Sequence, residues 1–357
     1  MNKRTIFFAL ILPFAFATAF AQGGKKSDKR DYGVHYTLPK TCINIVIKEK
    51  KTVYKPGELS QYADRYLKLS NVPTETSTTW ELLSAKFVLS AQPDTSKTFF
   101  VEMNEKSVAP LMELTEDGII KSINTTAATT SSPQPREESK SIVKNDEKTV
   151  DPHTLLTEDI LMAGSTAKMA ELVSKEIYGI RESRSDLVRG QADSLPKDGA
   201  QLKLMLDNLD VQEKALTSMF TGSYEYEEKT VTIPVDIREM NNEILLRFST
   251  AFGVVGKNDL SGRPLFLTLK KVKEETEQPI TDKEKKEQEQ GVAYNLPGRA
   301  SLLLKDGNRQ VAEGEFPVTQ FGTVSYLAPI LFNKKSTIKV QFDPLTGALL
   351  KVDKEDK

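Results

Sequence analysis

Hydrophobic positions along this 357-residue chain follow period two at first, then spacings of three and four, then period two again. In Tyr32-Gly33-Val34-His35-Tyr36-Thr37-Leu38-Pro39 and in Cys42-Ile43-Asn44-Ile45-Val46-Ile47, apolar and polar residues alternate, which predicts half-buried strands. Pro56-Gly57 is a turn signal. Leu59, Tyr62, Ala63, Tyr66 and Leu67 then recur at helical spacing, so a short amphipathic helix is expected to end near Leu69. Further strands are expected over residues 80–90, 98–103 and 118–123, with Pro93-Asp94 as the turn between the first two.

The period then changes. Ser165 and Thr166 can cap a helix whose apolar positions are Met169, Leu172, Val173, Ile177 and Ile180, continued by Leu187 and Val188 and stopped by Gly190. A second helix should start near Gly199-Ala200. It carries Leu202, Met205, Leu206, Leu209, Leu216, Met219 and Phe220 to Gly222. Each is about 30–36 Å long at 1.5 Å per residue. Joined by the short segment 191–197, the two predict an antiparallel αα-hairpin. From Tyr224 onward, short alternating segments return up to residue 352. Asp306-Gly307-Asn308 and Pro344-Leu345-Thr346-Gly347 serve as hairpin turns.

The expected fold class is α+β: mostly antiparallel β domains, sandwich or barrel-like, with a long αα-hairpin between them. The N-terminal β domain spans 32–123, the hairpin 153–222 and the C-terminal β domain 223–357. Residues 124–152 are rich in Thr, Ser, Pro and charge and poor in large apolar side chains, so they read as a disordered linker. Residues 272–290 form a charged, disordered insert. The two β regions share a Tyr-x-Leu-Pro pattern, Tyr36-Thr37-Leu38-Pro39 and Tyr294-Asn295-Leu296-Pro297, which raises the question of duplication.

The chain begins with Lys3-Arg4, an apolar run from Ile6 to Phe16 and Ala19-Phe20-Ala21 before Gln22. This is the layout of a secretory signal peptide over residues 1–21 with cleavage between Ala21 and Gln22, followed by a flexible tail over 22–31. No cysteine lies near the cut, so no lipid anchor is expected and the product should be soluble, with no integral membrane segment. Lys and Arg number 49 against 50 Asp and Glu, and no basic stripe interleaves with aromatics, so a nucleic-acid partner is not expected. The single cysteine, Cys42, cannot close an intramolecular disulfide; a buried thiol is the plainer reading and an intermolecular disulfide the sharper one. His35 and His153 have no ligand partners at metal spacing, and no Gly-x-Ser-x-Gly elbow accompanies them, so neither a metal site, a cofactor nor a serine hydrolase is expected.

Several segments together resemble an uncharacterised family of exported Bacteroidetes envelope proteins, known as a domain of unknown function. They are Tyr36-Thr37-Leu38-Pro39-Lys40-Thr41, Pro56-Gly57 with Tyr62-Ala63, Ile177-Tyr178-Gly179-Ile180-Arg181-Glu182-Ser183-Arg184, Phe220-Thr221-Gly222, Tyr294-Asn295-Leu296-Pro297-Gly298-Arg299-Ala300 and Gln320-Phe321-Gly322-Thr323. The resemblance implies a Gram-negative envelope setting, in the periplasm or on the outer surface, and implies no activity. In that setting Asp193-Ser194-Leu195 looks like the acceptor of these bacteria's protein O-glycosylation, with Ser194 at the exposed tip between the helices.

Among candidate binding groups, Arg181 and Arg184 lie one turn apart and can clamp an anion or carboxylate; the alternative is ion pairing with Asp207 or Asp210 on the facing helix. Tyr62, Tyr66 and Trp80 are candidates for a sugar-stacking surface, against a plainer role in the core. No catalytic residue can be named, since the many carboxylates single out no pair. The expectation is a non-enzymatic scaffold or protein-interaction module with an envelope protein or glycan as partner. A carbohydrate- or peptide-binding module is the first alternative and a carboxylate-dependent hydrolase the second.

Overall fold

The computed structural model describes residues 33–102, 112–125, 150–194, 198–275, 291–328 and 336–356. It is mostly antiparallel β. Strands β1 (Gly33–Lys55) and β2 (Ser77–Glu102) are linked through a 3-10 turn and the short helix α1 (Ala63–Leu67). The small strands β3 (Met112–Leu114) and β4 (Ile120–Ile123) follow, then helices α2 (Glu158–Leu161), α3 (Thr166–Arg189) and α4 (Gly199–Thr221). Strands β5 (Ser223–Val235), β6 (Met240–Ser249), β7 (Gly253–Val255), β8 (Arg263–Lys273), β9 (Val292–Asp306), β10 (Arg309–Leu327), β11 (Ser336–Phe342) and β12 (Leu349–Asp356) complete the fold. The sheet orders are β2-β1-β5, β10-β9-β8-β6-β7 and β12-β11-β4-β3.

Pairing runs across the boundary expected between an N-terminal and a C-terminal β domain. β5 pairs with β1 from Ile43↔Val235 to Lys55↔Ser223, and Val340 of β11 pairs with Ile123 of β4. The first two sheets enclose one core, with Ile43, Ile45 and Ile47 packed among Phe248, Leu267 and Leu302. Alternation shows that a strand has an apolar face; it does not show which distant strand covers it. Polar contacts fix the closure. Thr41 N donates to Thr319 Oγ1 at 2.9 Å, Thr319 N donates to Thr41 Oγ1 at 3.2 Å, and Gln320 Nε2 donates to Thr41 O at 2.7 Å. Buried Glu49 accepts from Val254 N at 2.8 Å and so ties β7 to β1.

β1 and β2 are each longer than expected, because the predicted turn at Pro93-Asp94 is a bulge inside a continuing strand. Register jumps from Thr37↔Thr98 to Pro39↔Pro93. Two facing prolines lack N–H donors, so the ladder is interrupted there, and Asp94 Oδ1 instead accepts from Ser96 N at 3.1 Å. β9 and β10 repeat this construction, jumping from Leu296↔Thr323 to Gly298↔Val318. Backbones come close at that jump: a Cβ on Gly298 would lie 2.1 Å from Phe321 O. Beside each jump the small sheet supplies one acceptor. Thr37 N donates to Gly118 O and Asn295 N to Gly347 O, both at 3.0 Å, and both glycines have positive φ. The two Tyr-x-Leu-Pro segments therefore hold matching posts, and around them Tyr36, Leu38, Ile120, Ile123, Val340 and Phe342 form a second core.

The helices begin and end where their caps predict. Ser165 Oγ accepts from Lys168 N at 3.2 Å, Gly190 closes α3 at φ 69°, Asp198 accepts from Gln201 N at 2.7 Å and Gly222 follows α4. Their stripes meet α1 in a third core containing Ala63, Ile177, Leu216 and Phe220. Burial of each large side chain there contributes about 1.5–3 kcal/mol. α3 and α4 touch through this core and through ion pairs. The helical layer is tied to the first sheet where the Tyr54 hydroxyl lies 2.8 Å from Pro73 O and 3.0 Å from Thr221 O. Among the described residues, no helix is long and apolar enough to cross a membrane.

Candidate functional site

Where the helical layer meets the first sheet, a cleft of about 1000 Å³ opens beside β5. Ser223 to Glu227 form one side, and Lys51, Val53 and Lys55 of β1 lie next to them. Val150, Asp151, Pro152, His153 and Met219 also line the cleft. β5 is the edge of its sheet and, among the described residues, pairs with β1 alone. Its sequence Ser223-Tyr224-Glu225-Tyr226-Glu227 alternates, so both tyrosines share one face and both glutamates the other.

The two tyrosine rings are nearly parallel, at 10°, with centroids 6.5 Å apart, close to the two-residue repeat of a strand. Tyr224 is 54% exposed, and its ring leans on buried Tyr54 at 5.0 Å. Burial pushes the Tyr54 phenol pKa up, and neighbouring Tyr224 adds to this. Lys50 lies over the Tyr226 ring, 4.2 Å from its centroid. The charged groups of the cleft are paired: Lys55 with Glu225, Lys51 with Glu227 at 3.8 Å, and His153 Nε2 with Glu58 Oε1 at 3.1 Å. Asp151 Oδ1 accepts from His153 N at 3.0 Å and caps the 3-10 turn behind it. Exposed pairs of this kind contribute little stability each. Chemically, the cleft offers aromatic surface, a strand edge and an excess of carboxylates.

The residues singled out from sequence lie elsewhere. Arg181 Nε donates to Glu213 Oε1 at 2.6 Å, and Arg184 pairs with Asp210 and, at 2.8 Å, with Glu213. Both guanidinium groups are therefore engaged across α3 and α4, Asp210 being one of the two acids expected for this role. Ser194 is exposed in the connection between these helices. Ala21 and Gln22 lie outside the described residues, as do most of the expected linker and charged insert. Tyr62 and Tyr66 pack against the helical core. Trp80 packs against the first core beneath Lys51 and Lys229, each 5.8 Å from its ring. Cys42 is half-buried in β1, where burial raises its thiol pKa and Lys40 partly offsets that. Among the described residues, no three His, Cys, Asp or Glu side chains gather as a metal site. The Tyr-Glu-Tyr-Glu alternation was the available signal for the cleft, but it reads equally as an ordinary solvated strand face.

The chain belongs to the family described as a domain of unknown function (DUF4831), whose model matches residues 32–350. No curated protein and no solved structure matches it.

Proposed function

We propose that this family member is a non-enzymatic interaction protein that holds a partner in the cleft beside β5. The observation carrying the reading is the placement of Tyr224 and Tyr226 on an edge strand that borders a cleft. Aromatic side chains with a polar tip bind partners at low entropic cost. A hydrolase needs an acid and a nucleophile facing one bond. Here the carboxylates of Glu58, Glu225 and Glu227 each face a basic side chain instead, which favours binding over hydrolysis. In this reading α3 and α4 act as an antiparallel hairpin that buttresses the cleft through Met219 and Gly222.

The decisive experiment replaces Tyr226 with a photo-crosslinking residue in the native host. A discrete crosslinked partner, lost when Tyr224→Ala is added and absent with the crosslinker at exposed Leu350, is expected. Equal crosslinking from both positions would sink the proposal. We further propose export to the envelope as a soluble protein without a lipid tether, for which the N-terminal sequence of the host-purified protein should begin at Gln22. Glycan on Ser194 is part of the same envelope reading. It predicts a lower intact mass for Ser194→Ala, and an unchanged glycan mass would remove it.

A further inference from the structure

We propose that the four-stranded sheet joins a second copy of this chain, β12 of one copy pairing antiparallel with β3 of the next. This surface is separate from the cleft, and the inference does not rest on the cleft being a binding site. It starts from a repeat in the register. The hairpin β3–β4 pairs Met112↔Ile123, Glu113↔Ser122 and Leu114↔Ile120, passing over Lys121. The hairpin β11–β12 pairs Val340↔Val352, Gln341↔Lys351 and Phe342↔Leu349, passing over Leu350. Their turns match as well. Thr115 N donates to Ile119 O at 2.7 Å and Asp343 N to Ala348 O at 2.8 Å, and inside them Gly118 N and Gly347 N donate to Thr115 O and Asp343 O. Position by position, Met112 corresponds to Val340, Glu113 to Gln341, Ser122 to Lys351 and Ile123 to Val352.

Within the chain, the first strand of the second hairpin pairs with the second strand of the first, Val340↔Ile123 and Gln341↔Ser122. That leaves β3 and β12 as the two ends of the sheet, each with one strand partner among the described residues. They are the counterparts of the two strands already joined, so the same junction can form between copies. Transferring its register sets Met112 opposite Val352 and Glu113 opposite Lys351. Both pairs are complementary. At the internal junction Val340 and Ile123 are fully buried, whereas Val352 at the open end is 43% exposed and Met112 is only partly buried against the second core. Covering apolar side chains and opposing unlike charges both stabilise strand pairing. Glu113 lies 3.9 Å from Lys121, and Lys351 Nζ lies 2.6 Å from Asp353 Oδ2. These contacts stay within one copy and leave both groups partly exposed, so the pair across the junction adds to them. Two-fold pairing of β3 about Glu113, or of β12 about Lys351, would oppose like charges. Two-fold pairing of β12 about Val352 sets Lys351 opposite Asp353 but has no counterpart inside the fold. A head-to-tail contact leaves one β12 and one β3 free on every open oligomer, so assembly continues until a ring closes or a filament forms.

Sedimentation of the intact chain between about 10 μM and about 1 mM should rise from monomer past dimer. Lys351→Glu should weaken this association about threefold to tenfold, and adding Glu113→Lys should restore it. Disulfide trapping reads the pairing itself, with Cys42→Ser in every chain. Met112→Cys is placed on a tagged chain and Val352→Cys on an untagged one, because facing Cα atoms in an antiparallel pair are close enough for a disulfide. Mild oxidation of the mixture should give the mixed disulfide, and neither variant should form a disulfide with itself. Three results would each overturn the inference. One is a chain that stays monomeric over the whole concentration range. Another is a disulfide between two Val352→Cys chains in place of the mixed one, which would mean a closed dimer through β12 alone. The third is a Lys351→Glu chain that associates as the parent does. Crosslinking from Tyr226 is a separate readout, so the cleft reading stands or falls independently.

Discussion

The hairpins β1–β2 and β9–β10 are built alike and end differently. Each jumps register by two residues on one strand and five on the other. Each docks on the carbonyl of a positive-φ glycine in the four-stranded sheet. Beyond that point they diverge: β9 is continued by β8, β6 and β7, whereas β1 is continued by β5 alone. The shared part is where backbone groups are consumed internally. The divergent part leaves β5 with one strand partner among the described residues, and β5 and β1 together line the cleft. A repeated framework with one unfinished side is a physical reason for a site to sit on that side.

Matched substitutions test how far the likeness reaches. Leu38 is fully buried and its counterpart Leu296 is 38% exposed. Leu38→Ala should therefore cost about 2–5 kcal/mol by urea unfolding, against under about 1 kcal/mol for Leu296→Ala; equal losses would show that both posts carry the same load. Gly118→Ala should cost about 1–2 kcal/mol for its left-handed backbone alone, since nothing lies near its missing Cβ. Gly347→Ala should cost more, because a Cβ there would lie 2.7 Å from Pro39 Cδ. The reverse order would break the comparison.

Tyr36 gives a pH signature. Its hydroxyl exchanges hydrogen bonds with Ala293 O at 3.1 Å and Ala293 N at 2.7 Å, and burial pushes its pKa far above the ordinary phenol range. The folded state keeps the proton that the unfolded chain loses above about pH 10. Stability should therefore fall by about 1.4 kcal/mol per pH unit above that point. Tyr36→Phe should start less stable at pH 9 and close the gap as pH rises to 11; a constant gap would contradict the assignment. The smallest stability effect is expected at the divergent edge, where Tyr224→Ala and Tyr226→Ala should change unfolding by about 1 kcal/mol or less while abolishing partner capture.

Helix boundaries were legible in the chain because capping is local. Ser165, Gly190 and Gly222 act on groups within a few residues of themselves. Strand lengths were less legible. Pro93-Asp94 is a turn dipeptide by composition, yet β2 continues through it because β1 remains alongside on both sides. The three-residue strands β3 and β7 carry too few positions to show a period. Arg181 and Arg184 drew attention as a pair of like charges one turn apart, and only the neighbouring helix shows that Glu213 and Asp210 occupy them. Tyr224 and Tyr226 drew none, since alternating tyrosine and glutamate describe any half-exposed strand.

The sequence alone determined the strand-rich class, the helical pair with its ends, and the turns at Gly307 and Gly347, all set by contacts a few residues long. Tertiary structure decided the rest. Thr41 and Thr319 close the core across 278 residues, and Ile123 meets Val340 to join the two ends of the chain in one sheet. Which strand would be left as an edge follows from that long-range pairing. No local pattern encodes it, because a period of two is the same for a strand with one neighbour as for a strand with two.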